Sequence, residues 1–195
     1  MNKYHVKLTF VEPLLGSTPM NKELYADYVA TKAVDAPDDE LETVVEMTEK
    51  GTTGFHRLLD GTPCLYDYVL KGFFKDACGM LRRDPDSASA KLKAFRKVID
   101  GLTFVFPRQI PIQVKGEVGI LERPLRAQTA QGERVALSRS ETIGAGSSIE
   151  FDVLVLAEVK EAHLQEWLTY GALRGLGQWR NASYGRFEYE LSAAQ

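Results

Sequence analysis

Between Gly171 and Gly185 the chain reads Gly-Ala-Leu-Arg-Gly-Leu-Gly-Gln-Trp-Arg-Asn-Ala-Ser-Tyr-Gly, which places four glycines beside Arg174 and Arg180. Without a Cβ, a glycine reaches positive φ and lets backbone N–H groups come close to a neighbour. Gly175, Gly177 and Gly185, with the two arginines and Arg186 around them, therefore read as a concave, donor-rich surface able to hold an anion. The same residues also fit a glycine helix stop followed by an edge strand. A second basic group, Arg123, Arg126, Arg134 and Arg139, falls within seventeen residues. Guanidinium groups there can fork onto phosphates or stack on bases. A third group, Lys71, Lys75 and Arg82, recurs at helical spacing beside Gly72. Lys71 can meet a phosphate as a point charge where Gly72 allows close approach, or it can sit on a solvated helix face. Trp179 and Tyr184 could stack on bases or pin the loop to a sheet.

Other chemistries find little support. There is no G-x-S-x-G elbow, no P-loop, no H-E-x-x-H and no Rossmann glycine pattern. Glu117, Glu122 and Glu133 are scattered through the basic region and form no acid–base pair. Cys64 and Cys78 have no metal-ligand spacing and read as half-buried reduced thiols, so no metal or other cofactor is expected. The net charge of −3 is unevenly spread: −5 over residues 1–60, +6 over 61–140 and −4 over 141–195. A basic middle permits a phosphate-binding surface, while the total argues against a nonspecific DNA-coating protein. No apolar run approaches the ~18 residues of a membrane span, and the first ten residues alternate in polarity where a signal peptide would be apolar. A cytoplasmic protein without membrane contact is expected.

The elements that must position these groups follow from periodicity. Residues 4–11 alternate as a strand, with 16–19 as a turn. Helices at 21–33 and 37–50, the second strongly acidic, mark residues 21–54 as an insertion. A short strand at 55–59 closes on Asp60-Gly61-Thr62-Pro63. Residues 66–83 form the best helix, with Tyr66, Val69, Leu70, Phe73, Ala77, Met80 and Leu81 as its apolar stripe. Gly72 and Gly79 suggest a neighbour packed very close to it. A basic helical segment spans 88–99. Strands are expected near 103–106, 112–115, 119–126, 134–141 and 148–157, with a hairpin over 119–141 whose tip is 128–132. A helix at 161–173 and a strand at 185–191 complete the chain, with His5 and His163 on exposed faces. For 195 residues this order predicts one α+β domain. Its architecture is a ferredoxin-like or RRM-like antiparallel sheet with helices on one face, plus the acidic helical insertion and the β-hairpin.

Three spaced features carry a family resemblance. They are Asp60-Gly61-Thr62-Pro63 leading through Tyr66 and Tyr68 to Leu70-Lys71-Gly72-Phe73-Phe74-Lys75, the run Arg123–Arg126, Gly132, Glu141, Gly146 and the strand from Ile149, and the closing glycine loop. In this order they resemble the RAMP superfamily, the RRM-like subunits that form the RNA-binding backbone of CRISPR effector complexes. The resemblance covers residues 54–191 and the first strand. It implies that the Lys71-Gly72 pair and the Gly175, Gly177, Gly185 loop occupy the family's RNA-contacting places. One departure matters. RNA-cleaving members carry an aspartate after a Gly-hydrophobic pair, and here Gly54-Phe55-His56 puts a histidine there.

The resemblance therefore implies a non-catalytic RNA-binding protein that contacts single-stranded, guide-like RNA through its backbone. Its expected contacts are Lys71, Gly72, Lys75, Arg82, Arg123, Arg126, Arg134, Arg174, Gly175, Gly177, Arg180 and Gly185, and its expected partners are effector subunits or further copies of itself. An alternative is a phage or mobile-element protein that inhibits an effector complex, with the acidic stretch from Asp38 occupying a basic channel. A third is an endonuclease of repeat RNA with His56 as general base.

Overall fold

The computed structural model describes residues 1–20, 52–129 and 132–194, with side chains described outside 125–137. The expected helices of the acidic insertion lie outside the described residues.

Strand β1 (Asn2–Phe10) puts Tyr4, Val6, Leu8 and Phe10 inside and Lys3, His5 and Lys7 outside, as a period of two requires. It lies between β11 (Ser148–Val155) and β12 (Phe187–Ala194), antiparallel to both. Strands β7 (Thr103–Phe106) and β8 (Gln109–Gln113) share the far side of β11, joined through a cis Phe106–Pro107 peptide. Helix α1 (Asp67–Leu81) follows β1 in the chain, and helix α3 (Glu161–Arg174) joins β11 to β12. The spatial order β12-β1-β11-β7/β8 with two crossing helices is the ferredoxin-like pattern the sequence predicted.

Both helices cover one face of this sheet. Phe74 of α1 meets Trp167 of α3 at 5.4 Å between rings, and Phe73 meets Phe187 of β12 at 6.0 Å. The Trp167 indole N–H donates to Ser89 Oγ at 3.0 Å, so its one polar atom is satisfied inside the core. Glu166 on the same helix accepts from the backbone N–H of Ala88 and of Ser89, capping a 3-10 turn over Ala88–Lys91. The opposite, open face of the sheet is a ladder of ion pairs. Lys3 and His5 meet Asp152 at 2.9 Å, and Lys7 lies 3.9 Å from Glu150 and 4.0 Å from Glu190.

A second sheet is built from insertions. Strands β9 (Gly119–Thr129) and β10 (Gly132–Ile143) pair from Thr129↔Gly132 down to Gly119↔Thr142, forming the expected long hairpin. The base of β10 pairs with β2 (Leu14–Leu15) and with β4 (Thr52–Gly54), and β4 pairs with β3 (Thr18–Pro19). The stretch expected as a turn at 16–19 is thus partly strand, because it lies along the hairpin base.

Several further boundaries differ from expectation. In place of one strand at 55–59, β5 (His56–Arg57) hairpins onto β6 (Pro63–Tyr66), which runs where the helix was expected to begin. Pro63 favours an extended start, and the Asp60 carboxylate accepts the Thr62 N–H to close the turn. The segment 88–99 is no single helix: after the 3-10 turn, Ala94 at φ 46° starts α2 (Phe95–Leu102). The expected packing against Gly72 is absent, since nothing lies within 4 Å of a Cβ placed there. Of the two helix glycines, Gly79 is the one with a close neighbour, the Phe95 ring at 3.4 Å. Both cysteines are fully buried rather than half-buried, which pushes their thiols up in pKa.

His163 is also buried, not exposed; its Nδ1 accepts the Lys160 N–H at 3.1 Å at the start of α3. Burial lowers its pKa below 6.5, so the folded ring stays neutral where the unfolded one is charged. The resulting stability is complete above the unfolded value and declines as pH falls through it. Denaturant midpoints should accordingly drop between pH 7.5 and pH 5.5. The drop should shrink in His163→Gln, and an equal drop in that variant would show that His163 contributes nothing to it.

Candidate nucleic-acid interface

The tail loop is built by backbone contact. Helix α3 ends at Gly175, at φ 88°, whose N–H returns to Gly171 O at 2.7 Å. The Leu176 N–H donates to Gly185 O at 2.9 Å, and the Gly185 N–H donates to Pro13 O at 2.8 Å. A Cβ on Gly185 would lie 2.0 Å from Leu176 O, so the two arms of the loop touch main chain to main chain. Residues 177–184 project from that clasp.

The clasp carries the loop onto the base of the hairpin. Gly177 lies over β2, where a Cβ would come within 3.0 Å of Leu14 and of Leu15 O. Next to it, Gln178 accepts from Arg123 Nη2 of β9 at 2.9 Å and donates to Thr53 Oγ1 of β4 at 3.3 Å. Thr53 in turn meets Ser140 Oγ of β10 at 2.8 Å. One uncharged side chain thus ties the tail to two strands of the second sheet, and Thr53 carries the tie on to a third. The Arg123 guanidinium lies 4.4 Å from the centre of the Trp179 ring, a cation–π contact. Trp179 also stacks on Tyr184, with 5.5 Å between ring centres and 10° between planes.

The remaining arginines of the tail are engaged locally. Arg180 pairs with Asp76 of α1 at 2.7 Å, and Arg174 bonds Asn181. Arg139 forms a cross-strand pair with Glu122 at 2.6 Å on the hairpin. Arg126 and Arg134 occupy β9 and β10 nearer the tip, in the register pairs Arg126↔Val135 and Ala127↔Arg134.

The basic row of α1 lies elsewhere. Lys75 pairs with Asp100 of α2 at 2.8 Å, and Lys71 donates to Asp100 O at 3.2 Å while lying 5.2 Å over the Phe104 ring. Arg82 sits 5.0 Å over the Phe95 ring. These three cations face α2, whereas the tail reaches α1 through Asp76. Tail and hairpin converge; the Lys71 row stands apart from them.

His56 lies on another edge, its ring 4.6 Å from Tyr66 in an edge-on contact and its Nε2 3.3 Å from the Tyr68 hydroxyl. Burial lowers its pKa. Tyr68 stacks on Tyr66 at 5.4 Å, and Arg108 lies 5.8 Å from the Tyr66 ring. Glu141, which precedes Gly146 in the second of the three spaced features, accepts the Phe55 N–H at 2.9 Å and bonds Arg57, holding this edge to β10. Among the described residues no group of three or more His, Cys, Asp or Glu is placed to hold a metal, and no helix is long and apolar enough to cross a membrane.

Sequence reasoning missed Gln178, Thr53 and Asp76, the residues that join the parts. A search for cations passes over a glutamine and a threonine, and Asp76 stands out only once Arg180 is seen against it.

The sequence matches no protein-family model and no curated protein. The fold does match solved structures. A chain of the Type III-B Cmr-beta bound to cognate target RNA aligns over 100% of this chain at TM-score 0.56 and 10% identity. This chain spans only 61% of that one. A chain of a Type IV-B CRISPR complex aligns over 97% of this chain and 90% of its own length, at TM-score 0.50 and 10% identity. At such identity the likeness is one of fold alone.

Two glycines separate structural need from ligand need. Gly185→Ala must push a Cβ into Leu176 O at φ 71°, and should lower stability by at least about 2 kcal/mol in denaturant titration. Gly72→Ala places its methyl in open space inside a helix and should raise stability by about 0.5–1 kcal/mol. If Gly72 admits a close phosphate, the same stable variant should lose RNA affinity; full affinity would remove Gly72 from the interface.

Proposed function

We propose that this chain is a non-catalytic RNA-binding subunit of CRISPR-associated RAMP type, which holds single-stranded, guide-like RNA by its sugar-phosphate backbone. The observation that carries this reading is the joining of the glycine loop to the base of the arginine-bearing hairpin through Gln178 and Arg123. A strand following that joint would meet Trp179 and Tyr184 for stacking, then Arg126 and Arg134 along the hairpin. The open face of the main sheet suits RNA less well. There Lys3 and Lys7 face three carboxylates, Glu150, Asp152 and Glu190, so negative charge outnumbers positive along that ladder. The fold shared with effector subunits supports assembly with other such subunits or with copies of itself. Lys71, Lys75 and Arg82 would then join through exposed, salt-screened contacts that can be exchanged for phosphates.

The test is a salt titration of binding to an unstructured RNA. Log affinity should fall linearly with log salt, by about 0.7 for each phosphate contacted. Arg126→Ala and Arg134→Ala should each reduce that slope by about one contact's share, and the RNA should be recovered uncleaved throughout. Affinity that does not respond to salt, or no binding at low ionic strength, would overturn the reading.

A further inference from the structure

We propose, resting on the reading that this joint binds RNA, that the Trp179 indole is a removable cover over a phosphodiester site on Arg123. Arg123 is 7% exposed, yet among the described residues its Nε and Nη1 have no hydrogen-bond partner. Only Nη2 is used, on Gln178 Oε1. Buried donors without acceptors are unfavourable, and those on a cation especially so. The indole face attracts the charge but offers no oxygen to the two N–H edges. Burial lowers the Arg123 pKa, opposed in part by Tyr184 nearby.

The cover itself is held under strain. Trp179 at φ 54° and Ser183 at φ 67° are both left-handed, a region that L side chains rarely adopt. These two residues bracket the 3-10 turn over Arg180–Ala182, and Trp179 is 40% exposed. Swinging the indole outward about its side-chain torsions takes the ring off the guanidinium and opens that face to a ligand. A phosphodiester oxygen supplies an acceptor to Nε or to Nη1, which lie on different edges of the guanidinium, with Nη2 as the second prong of either fork. The released indole, with Tyr184 beside it, then offers a face to the adjoining base. Those two aromatic rings favour a nucleotide over an acidic peptide, which would use the guanidinium and leave the rings idle.

Tryptophan emission reads the cover directly, because the chain's other tryptophan, Trp167, is fully buried in the core. The intact chain is titrated with a short oligouridine at low ionic strength. Anisotropy of a labelled copy reports binding, and intrinsic emission reports the indole. Emission should shift with the same midpoint as anisotropy, and the shift should vanish in Trp179→Phe while anisotropy still rises. Arg123→Lys keeps the charge but loses the fork, and should weaken binding about fivefold.

Anisotropy that saturates with emission unchanged would overturn the cover and leave RNA binding standing. No anisotropy change at all would remove the RNA reading together with the cover. The full emission shift with inorganic phosphate alone, at equal phosphate concentration, would assign the site to a free anion and overturn the nucleic-acid assignment. Unchanged affinity in Arg123→Lys would also overturn it.

Discussion

A side chain cannot begin at residue 185, because Leu176 O already occupies the space 2.0 Å from where its Cβ would stand. That exclusion lets the two arms of the tail loop close on each other, with Gly175 meeting Tyr184 O from the opposite arm in the same way. The closed clasp is then tied to Pro13 O at the exit of β1. The position of every residue from 177 to 184 follows from it. Without main-chain contact at that spacing, Gln178 would not reach both Arg123 and Thr53, and Trp179 would have no guanidinium beneath it. The glycines of the loop are thus needed first for the protein's own backbone, and any anion they admit comes to a surface already shaped by that need.

Charge on this molecule divides into two kinds. On the open sheet face, on α2 and along the hairpin, cations pair with exposed carboxylates, as Arg139 does with Glu122 and Lys75 with Asp100. Such pairs contribute little stability and are screened by salt, so they can be traded for other partners. Arg123 is of the other kind, withdrawn from solvent with one hydrogen-bond partner and two idle donors among the described residues. A charge held that way is specific about what replaces its cover, because only a group that reaches into the joint and brings acceptors can satisfy it.

The core was legible because its signals are long. Val6, Leu8 and Phe10 alternate along a strand, and Leu70, Phe73 and Ala77 recur over about two helical turns, so both faces could be assigned from spacing. The hairpin was legible for the same reason, since two strands of eleven and twelve residues flank a glycine-bearing tip. Strands of two residues carry no period. Leu14–Leu15 and Thr18–Pro19 are strands only because β10 and β4 lie alongside them, and that neighbour is far away in sequence. The α1 row was read correctly as lying on one helix face, but spacing says nothing of what faces it, and α2 turned out to stand there with Asp100. His163 was misplaced because its role is to accept the Lys160 N–H at a helix start, a local capping contact that leaves no apolar pattern.

The second sheet has no strand from the ferredoxin-like core. Its members arrive from two insertions, one between β1 and α1 and one between β8 and β11, and they meet at the base of β10. A sheet assembled from separate excursions needs something to fix its angle to the core. Two contacts do so from opposite sides: Glu141 grips the Phe55 N–H and Arg57, and Gln178 grips Arg123 and Thr53. The second grip belongs to the tail loop, whose clasp is anchored to the end of β1. A change of position in that loop must therefore alter the support of the hairpin at its root, and whatever moves Trp179 acts on the same joint that aims the hairpin.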